Sequence, residues 1–537
     1  MMGIFQQARE LARPGEAREA LAQRVSGSLG ETDGQRVRAL EELVARVAEE
    51  LSVEDRWSKL QRLLFGPKTE TTQNLLGNKP DGSGSGDPDP EKPKPKTKGH
   101  GRNGKEKYPG AKVICVNHPD LKPGQKCPKC GRGNLLELKP AVEISIKARP
   151  PIEATQLEKQ RLRCALCGMV FTAPTPPGVP HVKYDPGVGV MLGLMRFGFG
   201  TPHYRLARMQ EMFGVPMPES TQWSLMAEAQ RAMKPVMGEL AAVAAQGSLF
   251  HIDDTKMRVQ ELTNKGGLVE AEGAKKGKER KGIFTASIQS FGPGWQVGLY
   301  FTGNQYAAER MEMIMTKRAP GLAAPIQMSD ALSWNGSRKY PFVEALCLVH
   351  GRREFVDLIS SFPEASRRVL EDLRTVYGVD SHARDSKLSP EARLALHQER
   401  RGPIMAELKS WMEGQLALKL VEPNSGLGKA MGYMLKHWQG LTLFLRLAGA
   451  PLDNSIAERA IKRAVLHRKN SLSYLTKAGA EVGDTVMSLI ETCRMNGVNP
   501  HSYMMAVVTH AEAVAKCPAH WLPWNYPRPP IPAPTED

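Results

Sequence analysis

The chain has 537 residues and a formal net charge of +16, from 73 Lys and Arg against 57 Asp and Glu. That length exceeds one compact domain, so we expect about three or four domains. Hydrophobic residues make up 41% and charged residues 24%, as in soluble globular proteins, and no apolar run approaches the roughly 18 residues that span a bilayer. The first residues lack a signal peptide's apolar stretch and cleavage site, so we expect a cytoplasmic, nucleoid-associated protein. The positive charge favours nucleic acid as the partner, although solubility alone would also account for it.

Residues 1–66 are predicted to form an N-terminal helical segment. Its apolar residues recur at steps of three and four, which is coiled-coil spacing, at Val37, Leu40, Val44, Val47 and Leu51. A helix packed on its own domain would show the same pattern. Residues 67–109 lose this periodicity and are rich in Pro, Gly and Lys, so we expect a linker that either lies along DNA phosphates or is a solvated tether.

Two Cys-x-x-Cys pairs mark residues 110–178 as a zinc-binding domain, with Cys127 and Cys130 in the first pair and Cys164 and Cys167 in the second. Each pair places two thiolates on a tight turn, and four thiolates complete the tetrahedral shell of structural zinc. Reduced cysteines without metal are the alternative. Because all four positions are filled by protein, such a site would have a structural role rather than a catalytic one.

Residues 179–245 have a helical pattern and are predicted to form a DNA-binding or connecting region. Two helices, Tyr204–Phe213 and Glu219–Ala229, flank a turn over Gly214–Pro218, as in a helix–turn–helix. Helical hairpins are common in proteins of all kinds, so an ordinary hairpin is the favoured interpretation.

The next segments predict an α/β fold. An apolar strand over Ser248–Val259 is interrupted by acids, two further strands lie within residues 282–303, and a helix covers Gln305–Lys317. A short apolar run then ends at Asp330, and much later a capped helix covers Leu452–Lys462, with Asp453 or Asn454 as its cap. This order suits a mixed sheet with acids at its strand ends.

Phosphodiester attack uses two divalent ions, and carboxylate oxygens are the ligands that Mg²⁺ prefers. Asp253, Asp330 and Glu458 are candidates to hold such ions if they converge in space. Spacing along the chain cannot show that convergence, because acids at strand ends and in capped helices are common. Asp253 and Asp254 are adjacent, and since successive strand residues point to opposite faces, only one of the two can face the metal ions.

Several segments, in this order, resemble the transposases of the bacterial insertion-sequence 66 family. The N-terminal segments are Leu63–Glu70 (LLFGPKTE), Lys98–Arg102 (KGHGR) and the two cysteine pairs. The later ones are His251–Thr255 (HIDDT), Gln327–Asp330 (QMSD), Cys347–Phe355 (CLVHGRREF), Asp453–Arg459 (DNSIAER), Arg468–Asn470 (RKN) and Leu489–Thr492 (LIET). In the HIDDT segment Asp253 occupies the family's catalytic place, and Asp254 replaces its usual Glu.

The resemblance implies a ribonuclease-H-like, mixed-sheet core over residues 246–500 with a large helical insertion at about 345–450, followed by a C-terminal helix and Pro-rich tail over 501–537. It implies an Asp253–Asp330–Glu458 triad that binds two Mg²⁺ or Mn²⁺ ions, besides the structural zinc. It implies terminal inverted repeats and target DNA as partners, small accessory proteins from the same element, a homo-oligomer and no membrane. The alternatives are an inactive, domesticated DNA-binding protein and a ribonuclease-H-like nuclease without strand transfer.

Basic side chains near the triad positions are candidates for contacts with the DNA backbone. They are His350, Arg352, Arg353, Arg459, Lys462, Arg468 and Lys469. Ion pairs on a protein surface would use the same residues, for example Glu458 with Lys462 at i,i+4 on one helix.

Overall fold

The structure is a computed structural model. It describes residues 120–126, 128–129, 132, 134–135, 151–163, 169–176, 182–264, 282–331 and 339–526. The predicted N-terminal helices, the linker and the zinc ligands Cys127, Cys130, Cys164 and Cys167 lie outside these residues.

The described elements are mostly helices, with a small and a larger sheet. Before the larger sheet come β1 Arg161–Arg163, β2 Val170–Thr172, α1 Pro186–Gly193, a π-helical turn Leu194–Gly198, α2 His203–Met212 and α3 Glu219–Ala244. Next come β3 Leu249–Met257, α4 Gln260–Asn264, β4 Ile283–Gly292, β5 Trp295–Gly303, α5 Ala307–Met315, β6 Ile326–Ser329 and β7 Val343–Leu346. The helices α6 Leu348–Asp357, α7 Pro363–Asp385, α8 Pro390–Ala417, α9 Gly426–Lys436 and α10 Trp438–Leu441 follow. The last elements are a 3₁₀ turn Leu443–Leu445, α11 Ser455–Ser471, α12 Lys477–Met495, α13 Pro500–Thr509, α14 Ala511–Lys516 and a 3₁₀ turn Pro518–Trp521.

The five-stranded sheet has the order β5-β4-β3-β6-β7. β3, β4 and β5 pair antiparallel, with a two-residue turn between β4 and β5, whereas β6 and β7 run parallel to β3. The helix α5 makes the crossover that a parallel neighbour requires. The predicted order of three strands, a helix and a strand is confirmed, and so is the mixed α/β fold.

The two faces of this sheet are covered by different helices, and the alternation of side chains along β3 decides which acid meets which helix. On one face the His251 ring bonds Asn454, directly before α11, at 3.1 Å. On the other face the Asp254 carboxylate accepts from the backbone N–H of Ala307, the first residue of α5. Asp253 shares the face of His251 and is therefore directed toward α11.

The edge strand β5 is covered by α12, whose polar side chains take the place of a further strand. Backbone N–H groups of β5 donate to one side chain per turn of α12: Gln296 to Asn496 at 3.1 Å, Gly298 to Thr492 at 3.1 Å, Tyr300 to Ser488 at 2.9 Å and Thr302 to Asp484 at 2.6 Å. Four helical residues advance about 6.0 Å and two strand residues about 6.7 Å, so the two repeats match. The ladder satisfies the strand's unpaired donors and blocks edge-to-edge association there.

A second compact unit comprises, among the described residues, Leu348–Trp438. Its helices α7 and α8 are joined by the buried carboxylate of Asp380, which accepts from Arg393 Nε at 2.8 Å and lies 3.2 Å from His397 Nε2. Arg384 completes the ion cluster at 3.3 Å. These partners lower the pKa of Asp380 despite its burial, so the charge of this acid is compensated within the helix pair.

The described C-terminal residues pack as helices against the unit that contains the sheet. Tyr503 on α13 is fully buried and donates its hydroxyl to the Trp521 carbonyl at 2.6 Å. None of the helices in the described part of the chain is both long enough and apolar enough to cross a membrane.

Candidate active site

Asp253 lies on β3, and Asp330 directly follows the neighbouring parallel strand β6. The register of β3 with β6 pairs Phe250 with Gln327 and His251 with Met328. Continuing this register by two residues places Asp330, which directly follows β6, opposite Asp253. Both acids are half-buried. The sheet therefore brings together two predicted site residues that are far apart in the sequence.

Asp254 belongs to the opposite face. Both of its carboxylate oxygens accept from the Ala307 N–H, at 3.0 and 2.9 Å, at the positive end of the α5 dipole. Burial raises the pKa of Asp254 to about 7, and the nearby carboxylates of Asp253 and Asp330 add to the rise. The Asp254 carboxylate therefore bonds the first residue of α5, and Asp253 is the acid that faces α11.

The start of α11 is bound to β3 by Asn454. Its side-chain N–H₂ group donates to the Ile252 carbonyl at 2.8 Å, and its Oδ1 lies 3.1 Å from His251 Nδ1. Its backbone N–H donates to the buried Cys347 sulfur at 3.2 Å. The sequence left the helix cap open between two residues. In the structure Asn454 is the N-cap residue, but its side chain reaches the sheet instead of capping the helix. Asp453, one residue earlier, accepts from Ser455 N through its Oδ1 at 3.0 Å.

His251 has a defined hydrogen-bonding role in this contact. The Asn454 amide directs its N–H₂ group at Ile252, so its oxygen must face the ring, and His251 Nδ1 is the donor. Burial lowers the pKa of His251 to about 4. The imidazole is therefore neutral at physiological pH, and the contact is a neutral hydrogen bond that fixes the helix on the strand.

Glu458 lies one turn after Asn454 on the same face of α11. It is half-buried, and one of its carboxylate oxygens is fully buried. Further along, Arg468 Nη1 donates to the Thr255 hydroxyl at 2.8 Å and to the Lys256 carbonyl at 2.6 Å. Because α11 is bonded to β3 before and after Glu458, this carboxylate is held on the side of the sheet that Asp253 faces.

The predicted DNA-contacting residues differ in their environment. Arg459, Lys462 and Lys469 are exposed on α11. Arg468 is half-buried and its guanidinium bonds β3, so at least part of its role is structural. On α6, in the other compact unit, Arg353 is exposed and His350 half-buried, whereas Arg352 is buried.

The Asn454 contact with His251 and Ile252 was not predicted from the sequence, and neither was the α12 ladder. The repeat of polar residues every fourth position in α12 was a usable signal for the ladder, at Asp484, Ser488, Thr492 and Asn496. No local pattern indicates the Asn454 contact, because its partners lie about 200 residues earlier in the chain.

Comparisons with known proteins identify a matching family and similar uncharacterized proteins. The family model described as "Transposase IS66 family" matches residues 181–482, more than half of the chain. The uncharacterized protein y4hP of Sinorhizobium fredii (strain NBRC 101917 / NGR234) is 23% identical over 431 residues, which are 76% of this chain and 74% of that protein. The uncharacterized protein y4jD of the same strain is 33% identical over 196 residues, 35% of this chain and 37% of that protein. No solved structure matches the chain significantly.

Proposed function

The chain belongs to the IS66 family of transposases, and on that basis we propose that it is a DDE-type transposase, which cleaves the ends of its own mobile element and joins them to target DNA. The catalytic carboxylates in this proposal are those of Asp253, Asp330 and Glu458. The observation that carries it is the parallel register of β3 and β6, which sets Asp330 opposite Asp253.

The topology supports a ribonuclease-H-like core. Three antiparallel strands are followed by a helix and by two strands parallel to the first, in the order β5-β4-β3-β6-β7. Asp253 on the central strand and Asp330 after its parallel neighbour lie where acids at strand ends would meet. In this proposal the helices between β7 and α11 would form the insertion that the family resemblance implies.

The acids fit divalent cations. Carboxylates of Asp253 and Asp330 lie close enough to add to the raised pKa of Asp254, and a bound divalent cation would relieve this concentration of negative charge. Asp253, Asp330 and Glu458 would hold the metal. When bound, Mg²⁺ or Mn²⁺ ions would activate the attacking hydroxyl and stabilise the leaving oxygen.

The protein's own residues would position the acids and the DNA. Asn454 and Arg468 fix α11 on β3, and in this proposal they keep Glu458 on the face of the sheet that Asp253 shares. The exposed cations Arg459, Lys462 and Lys469 on α11 would contact phosphates of the bound strand.

The proposed function also includes a zinc-binding domain and an oligomer. Thiolates of Cys127, Cys130, Cys164 and Cys167 would hold a structural zinc ion in a domain that positions the element ends. Because two ends must be joined together, we propose a homo-oligomer, assisted by small accessory proteins of the same element.

The test is cleavage and joining of a labelled duplex that carries the element's end, in Mg²⁺, with accessory proteins supplied. Asp253→Asn and Glu458→Gln should each lower the rate by about 10³-fold or more while duplex binding persists. Asp254→Asn is the matched control: its amide oxygen can still accept from Ala307, so we expect it to stay within about tenfold of wild type.

Three results would contradict this assignment. If Asp254→Asn is inactive and Asp253→Asn is active, Asp254 rather than Asp253 is the acid that binds the metal ions. If the wild-type protein binds the duplex but neither nicks nor joins it, the inactive DNA-binding alternative holds. If it nicks the DNA and never joins the 3′ end to a second duplex, it is a nuclease.

A further inference from the structure

The turn that follows α11 has an unusual backbone conformation. Leu472 has φ 65° and ψ −44°, and the Ser473 N–H donates to the Ser471 carbonyl at 2.7 Å. The φ and ψ of Leu472 and the hydrogen bond between Ser473 and Ser471 are close to those of the rarer, strained form of the γ-turn. Leucine rarely adopts a positive φ, because its Cβ crowds the backbone there.

Hydrogen bonds to the end of β3 and the start of α4 hold this turn in place. The Tyr474 N–H donates to the Arg258 carbonyl, and the Gln260 N–H to the Tyr474 carbonyl, both at 2.9 Å. The Gln260 side chain donates to the Ser473 hydroxyl at 3.0 Å, and the Glu261 N–H to the Leu475 carbonyl at 3.0 Å. The surrounding fold therefore maintains the strain, as is found at ligand clamps.

Two apolar side chains of the turn point to solvent. Leu472 is 74% exposed and Leu475 is 72% exposed. Close by, Phe199 is 75% exposed, beside Gly200, which packs on Leu466 of α11. Tyr474, between the two leucines, is buried in the core, so the turn anchors the end of α11. It also directs the flanking leucines to solvent, where a partner can contact them.

The charge of the surface next to the turn indicates which kind of partner would contact the leucines. The outer face of α11 carries exposed residues at steps of three, four and three, namely Arg459, Lys462, Leu466 and Lys469. Three of these four are cations, and they lead from beside Glu458 to the Leu472 turn. A row of cations that ends in an apolar tip is complementary to a nucleic-acid duplex, with phosphates along the row and base faces at the tip.

We propose that Leu472, with Leu475 beside it, is a wedge that inserts between adjacent base pairs of the DNA bound along α11 and unstacks that step. The position of the wedge relative to the cleaved bond rests on the proposed function of Glu458. Leu472 lies 14 residues after Glu458 on one helix, about 21 Å at 1.5 Å per residue. This distance spans about six base pairs at 3.4 Å each, so the unstacked step lies within about six base pairs of the cleaved bond.

The test uses the full chain and duplexes of the element's end with 2-aminopurine placed singly at each of the first eight positions, without divalent metal so that no cleavage occurs. Binding of the wild-type protein should raise the fluorescence at one step, because 2-aminopurine brightens when unstacked. Leu472→Ala and Leu472→Gly should return it to the level of free duplex, while Leu472→Phe keeps it. Leu418→Ala removes a leucine of equal exposure, 73%, in the other compact unit and should leave it unchanged.

Folding is checked in the same variants. Glycine adopts the positive φ freely, so Leu472→Gly should melt at the wild-type temperature or above it. A fluorescence rise that persists in both Leu472→Ala and Leu472→Gly would overturn the wedge, as would a wild-type complex with no rise at any position. A change of oligomeric mass in these variants, with the fluorescence rise intact, would instead identify the leucines as a protein-docking surface. Because no metal is present, a wedge signal that depends on Leu472 stands even if Glu458→Gln proves to be active.

Discussion

Asn454 connects α11 to the sheet through its side chain and its backbone. Its partners are the His251 ring, the Ile252 carbonyl and the Cys347 sulfur. Each is buried or part of the backbone of β3, so none can turn to water if Asn454 is lost. An unpaired buried polar group costs about 1–3 kcal/mol, so the loss of Asn454 would loosen the start of α11, where Glu458 lies.

We therefore expect Asn454→Ala to lower kcat for strand cleavage by about 10²-fold with little change in duplex affinity, since a misplacement of about 1 Å has that effect on catalysis. Single-turnover cleavage and a binding isotherm on the same duplex measure the two quantities. Asn496→Ala is the matched control, because that amide bonds the backbone of Gln296 on the far edge of the sheet. An equal loss of kcat in both variants would mean that Asn454 acts through general stability alone.

At the scale of elements, α1 and α3 approach each other at a glycine. A Cβ on Gly189 would lie 2.4 Å from the Leu225 carbonyl oxygen and 3.0 Å from the Ala229 Cβ. The first of these is a backbone atom and cannot rotate away. Close packing of this helix pair thus requires glycine at position 189, which has no Cβ. The core of this unit continues into the sheet.

Gly189→Ala should lower the free energy of unfolding by about 2 kcal/mol or more, because the helices must move apart. Gly238→Ala, within α3 and with no atom within 4 Å of its new methyl group, should raise it by up to about 1 kcal/mol through helix propensity. Chemical denaturation of the two variants provides the comparison. The packing argument is wrong if both substitutions stabilise the protein.

The packing of α12 on the edge of β5 is also an interaction between elements. Four side chains of α12, one per turn, satisfy the strand's backbone donors. The five-stranded sheet therefore grows no further on that side, and intermolecular pairing of this sheet would have to use the β7 edge.

At the scale of the whole molecule, the net charge of +16 is the property most relevant to DNA. Neutralised phosphates release counterions, so the affinity for duplex DNA falls steeply with salt. The exposed cations Arg459, Lys462 and Lys469 lie on the same helix as Glu458, the proposed catalytic acid, and they should account for part of that dependence.

Lys462→Ala and Lys469→Ala should each reduce the slope of log K against log salt concentration by about 1, with equal effects on unrelated duplex sequences. Fluorescence anisotropy at several salt concentrations measures this slope. Lys516→Ala, an exposed lysine on α14, should leave it unchanged. If all three variants share the wild-type slope, α11 does not contact phosphates.

Much of the local structure was predictable from the sequence. The alternation around Asp253, the helix after β5 and the short strand before Asp330 predicted β3, α5 and β6 with boundaries within a few residues. Side-chain periodicity is a local property, so a strand or helix is evident wherever one face is buried. The same alternation established that Asp253 and Asp254 face opposite sides, and the resemblance selected Asp253.

Only the tertiary structure decided which elements meet. β6 begins 77 residues after β3 begins, and Asn454, at the start of α11, bonds β3 across about 200 residues of sequence, so both pairings are set by long-range packing. It assigned Asp254 to the start of α5, and it showed that Asn454 reaches the sheet while Asp453 accepts from the first turn of α11. The strained Leu472 turn likewise depends on bonds to residues more than 200 positions earlier. The sequence alone determined the local elements, the candidate acids and, through the resemblance, the family, because these depend on neighbouring residues and ordered motifs. The contacts that bring β6 and α11 to β3 join distant segments, and local patterns do not encode them.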